Sequence, residues 1–61
     1  MNRILTALSE MNIHEPKQIR DIALLMLDAA NDRHIHEQAL EVASMTNLQL
    51  ELATQQILGG R

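Results

Sequence analysis

A chain of 61 residues that contains neither cysteine nor any aromatic residue has few ways to hold a fold. The first absence excludes disulfides and thiolate-bound zinc, the usual cross-links of very small domains. The second removes the largest apolar side chains. What remains is aliphatic burial, from a hydrophobic fraction of 46% made up of leucine, isoleucine, methionine, valine and alanine. Residues 1–61 are expected to form a single small domain. At this size a core is often supplemented by oligomerisation.

The spacing of the apolar residues is helical, and it predicts an all-α fold, a compact bundle of three to four short helices assembled as a homodimer. A first segment, about residues 2 to 11, puts Ile4, Leu5, Leu8 and Met11 on one face, with Asn2 placed to cap it. Pro16 suits the first turn of a second helix, because the N–H it lacks has no intrahelical partner there. In that helix Ile19, Ile22, Ala23, Met26 and Ala30 form one stripe, and Leu24, Leu25 and Leu27 cover much of the other side. It is therefore expected to be surrounded by its neighbours and to stop near Asn31-Asp32. A third helix, about His34 to Met45, would turn Ala39, Leu40, Val42 and Ala43 inward and Glu37 and Glu41 outward. Thr46 followed by Gln49 has the spacing of a capping box for a fourth helix, which Gly59-Gly60 would close with a left-handed stop. The competing reading is one continuous helix over 35–58.

Several functions are disfavoured at this level. The longest apolar run, Ile22 to Leu27, is far short of the roughly 18 residues of a membrane span. The first segment is interrupted by Thr6, Ser9 and Glu10 and does not read as a signal peptide. A cytoplasmic protein without a membrane partner is expected. His34 and His36 stand two apart, which on a helix aims them in different directions, so no metal site is expected. The glycines are confined to Gly59 and Gly60, which leaves no phosphate loop, and no aromatic wall is available to enclose a substrate. Neither a cofactor nor enzymatic activity is expected.

The fourth segment carries the functional reading. Leu50, Ala53, Ile57 and Leu58 form a face that can close on the second helix, while Leu48 and Leu52 lie about 160° from its middle. Either the first helix covers those two leucines, or they form an association patch. The expectation is a small non-enzymatic regulatory or adaptor protein. It would act through a homodimer or a protein partner, with Leu48, Leu52, Gln49, Gln55 and Gln56 as contact residues. The alternative is a helix-turn-helix DNA-binding regulator built from residues 35–58, using Arg20, Arg33, Asn47 and Gln49. Charge weighs against it: residues 46–58 contain no lysine or arginine, and the formal net charge of the chain is −3, whereas phosphate contacts dominate nucleic-acid affinity.

Thr46-Asn47, Leu50-Glu51-Leu52-Ala53 and Ile57-Leu58-Gly59-Gly60 follow the spacing of the third helix of the ubiquitin-associated family. Residues 17–60 in this respect resemble that family of three-helix domains. Asn31-Asp32-Arg33 stands where the family carries its Met-Gly-Phe/Tyr loop, so no ubiquitin-binding residue is carried over.

Overall fold

The computed structural model describes residues 2–60 as four helices, and among these residues there is no strand. They are α1 (Arg3–Glu10), α2 (Pro16–Ala29), α3 (Arg33–Ala43) and α4 (Asn47–Gly59). Local chemistry sets most of the boundaries. The Asn2 side chain accepts from the Ile4 and Leu5 amides and caps α1. Its own Nδ2 donates to the Gln38 carbonyl at 2.9 Å, and the Arg3 amide donates to Gln38 Oε1 at 2.9 Å. One end of α1 is thereby tied to the middle of α3. After α1, Asn12 takes φ 62°, a left-handed conformation that asparagine tolerates better than most residues, and the chain turns toward Pro16.

α2 stops at Ala29, short of the expected Asn31-Asp32, because Asp32 serves the next helix instead. Its Oδ1 accepts from the His34 amide at 2.7 Å and the Ile35 amide at 3.3 Å, so α3 starts at Arg33. A continuous helix over 35–58 is ruled out: α3 ends at Ala43, and Thr46 has extended backbone with ψ 164°. There the capping box forms in full. Gln49 N donates to Thr46 Oγ1 at 3.1 Å, and Thr46 N donates to Gln49 Oε1 at 2.9 Å. The far end of α4 departs from expectation. Gly60 has φ −84° and no described glycine is left-handed; α4 finishes on a bond from Gly60 N to the Gln56 carbonyl at 3.0 Å.

The core comprises Ile4, Leu5, Leu8, Ile19, Ala23, Ala39, Val42, Leu50 and Ile57. α2 and α3 are the most extensively packed pair, and Ala23 and Ala39, both fully buried, are small enough to leave room for close helices. α1 packs on α2 and α3, and α4 packs on α1 and α2. The radius of gyration, 10.7 Å, is close to the value of about 10.5 Å for a compact chain of this length. Four helices around so small a core cover one side of each, and this corrects the inward placement of some leucines. Leu40 and Leu58 are exposed, and α2 is not sheathed on all sides: it packs through Ile19 and Ala23 but leaves Leu24 and Leu25 exposed. No helix among the described residues is long and apolar enough to cross a membrane.

Ser9 on α1 and Thr54 on α4 are buried, and neither hydroxyl has a hydrogen-bond partner among the described residues. A buried hydroxyl without a partner costs about 1–3 kcal/mol. Ser9→Ala and Thr54→Val are therefore each expected to raise stability by about 1 kcal/mol, which corresponds to roughly 4–8 °C in melting temperature for a domain this small. A thermal melt checks this, and a lower midpoint for either variant would show that its hydroxyl is satisfied.

Candidate association surface

Leu48, Leu50 and Leu52 alternate with polar residues as a strand would. The capping box nevertheless commits this stretch to a helix, and two residues along a helix is a rotation of about 200°. The three leucines cannot share a face. Leu50 is fully buried and, with Ile57 and Thr54, forms the side of α4 that meets α1 and α2. Leu48 and Leu52 lie on the opposite side, 64% and 51% exposed, and α1 does not cover them. Gln55 falls on the same line one turn further, with Glu51 and Gln56 flanking it, all exposed. Four of the five candidate contact residues, Leu48, Leu52, Gln55 and Gln56, thus share an outer face. Gln49 is exposed at its edge, but its side-chain oxygen is held by the Thr46 amide.

The residues of the DNA-binding reading are not brought together as one basic surface. Both terminal guanidinium nitrogens of Arg20 donate to Asn47 Oδ1, one of them at 2.7 Å. This links α2 to the first turn of α4 and occupies the oxygen that Asn47 would offer to a base. Arg33 pairs with Glu37 one turn along α3, at 3.1 Å. The only charge on α4 is Glu51. His34 and His36 are both exposed on α3, and no three histidine, aspartate or glutamate side chains gather as a metal site needs among the described residues.

The structure holds a second apolar feature that the spacing does not single out. An open groove of about 800 Å³ runs between α1, α2 and α3, with Leu8, Met11, Ile22, Met26 and Ile35 among its lining residues. Ile22 and Met26 lie on the stripe read as core and are partly buried against it, whereas Met11, placed by its spacing on the core face of the first helix, is exposed at the position just after α1. The helices diverge there and leave the space between them open. Two methionines on neighbouring helices were the available signal, since flexible thioethers favour adaptable surfaces. No protein-family model matches the chain, and no curated protein or solved structure does either.

Proposed function

We propose that this chain is a small, non-enzymatic regulatory or adaptor protein of the cytoplasm that acts by protein–protein association, with a second copy of itself as its first partner. The outer face of α4 is its contact surface. One observation carries the reading: Leu48 and Leu52 sit one turn apart on the side of α4 that faces away from the core, both more than half exposed. Apolar residues grouped on one side of an amphipathic helix mark association surfaces, and laying such a helix against a groove or a symmetry mate is a recurring mode of recognition. Its action would be occlusion or bridging.

The DNA-binding alternative has one feature in its favour, the three-residue turn 44–46 between α3 and α4, a length found in helix-turn-helix units. The partners of Arg20 and Arg33 and the lack of basic residues on α4 weigh against it. Sedimentation equilibrium of the untagged protein at low and high salt, with and without duplex DNA, separates the two. Leucine-mediated self-association persists at high salt. DNA binding that falls steeply with salt, in a chain that stays monomeric, would replace the present reading.

A further inference from the structure

We propose that the groove between α1, α2 and α3 is a binding site for a free, single-chain aliphatic amphiphile with an uncharged head, such as a medium-chain alcohol. The site is separate from the outer face of α4, which contributes nothing to the groove lining. Its length, the chemistry of its walls and the charge of its rim together define this occupant.

Arg3, Ile4, Leu8 and Met11 all line the groove, so it runs the whole of α1, about 12 Å of helix. An extended chain advances roughly 1.2 Å per bond, so about ten carbons span that length. A protein partner needs far more surface. A specific interface takes about 800 Å² from each side, close to a fifth of the 4304 Å² surface of this protein, and the groove lining is a small part of that. Its volume of about 800 Å³ falls instead within the roughly 300–1,000 Å³ of small-molecule sites.

The walls are aliphatic and thioether side chains: Met11 at the end of α1, Ile22 and Met26 from α2 and Ile35 from α3, with Ile4 and Leu8 of the core. The chain has no aromatic residue, so a flat ring finds no stacking partner here. An alkyl chain gains from each methylene it buries, and the two methionines adapt to its path. It would cover apolar surface that the fold leaves wet, since Met11 and Ile35 are 66% and 43% accessible.

The polar lining residues are Arg3, Asp32, His34 and Gln38. The formal charges of Arg3 and Asp32 cancel. An anionic or a cationic head therefore gains no net attraction and still has to shed water to enter. Hydrogen bonds remain on offer in both senses. Asp32 Oδ1 accepts from the His34 and Ile35 amides, which leaves its second oxygen as an acceptor. Gln38 Oε1 accepts from the Arg3 amide, which leaves the Gln38 amide group as a donor beside the Arg3 guanidinium. A hydroxyl both donates and accepts, and so bonds to either kind of group without a charge.

Methyl NMR of protein labelled at isoleucine, leucine and methionine, titrated with 1-octanol, tests the proposal. The signals of Met11, Ile22, Met26 and Ile35 should shift and saturate, while those of Leu48 and Leu52 stay in place. The dissociation constant should fall about 4- to 15-fold from 1-hexanol to 1-octanol, two added methylenes partly or fully buried. Octanoate and octylammonium, with the same chain length, should bind at least about fivefold more weakly than the alcohol. Met11→Gln with Ile35→Gln, at two exposed positions, should weaken octanol binding at least about fivefold with circular dichroism unchanged. Shifts that never saturate, or that are as large at Leu48 and Leu52, would overturn the site. Equal or tighter binding of either charged probe would overturn the uncharged ligand class, and a folded double variant that binds octanol like wild type would overturn the assignment of the groove. Should that variant lose helicity, the wild-type shifts and the three head groups decide the matter without it.

Discussion

Leu50→Ala is expected to leave much of the protein unfolded at room temperature. Leu50 is fully buried and anchors α4 to the rest of the core. Truncating a buried leucine to alanine costs about 2–5 kcal/mol, partly from the lost transfer free energy and partly from the cavity left behind. A chain of 61 residues has a total stability of roughly 3–9 kcal/mol at typical values per residue, so this one change removes a large share of it. Circular dichroism with a thermal melt checks the outcome. Leu48→Ala, two residues away on the exposed side, is expected to stay within about 0.5 kcal/mol of wild type. A melting temperature for Leu50→Ala within a few degrees of wild type would contradict the assignment of Leu50 as an anchor.

The second large effect concerns association. Leu48→Glu with Leu52→Glu is expected to weaken self-association at least about 100-fold, equivalent to about 2.7 kcal/mol, because two carboxylates would have to be desolvated against an apolar surface. The same variant keeps its fold. Both positions are exposed, and Leu48 is in the first turn of α4, where glutamate complements the helix dipole. Sedimentation equilibrium reads the affinity and a thermal melt reads the fold. Loss of helicity in this variant would mean that the two leucines belong to the core.

The elements were legible in the sequence where a side chain had a specific local task. Asn2 and the Thr46–Gln49 pair each mark a helix start through two hydrogen bonds, and Pro16 does so through a missing donor; each holds in the structure. Asp32 reads as a turn residue in the sequence and is the cap of α3 in the structure, which is why α2 stops three residues before it. Burial was harder to read, because periodicity gives the direction of a side chain on its own helix but not whether a neighbour stands there. Leu40, Leu58, Leu24 and Leu25 are exposed because a four-helix core this small covers one side of each helix. The groove was hidden for the complementary reason. Ile22 and Met26 are on the correct side of α2, but the distance between helices that leaves them partly uncovered is a tertiary property. For the candidate site, the two leucines and the glutamines beside them were legible from an angular argument alone. That α1 would leave them uncovered was not, since it depends on which side of α4 the first helix takes.

The central claim is that the outer face of α4 is where this protein meets another copy, and methyl NMR of leucine-labelled protein across a wide concentration range tests it most directly. The δ-methyl signals of Leu48 and Leu52 should shift or broaden as the concentration rises, while those of Leu24 and Leu40, exposed elsewhere on the surface, stay in place. Leu48 and Leu52 signals that remain unchanged while the protein associates would contradict the account.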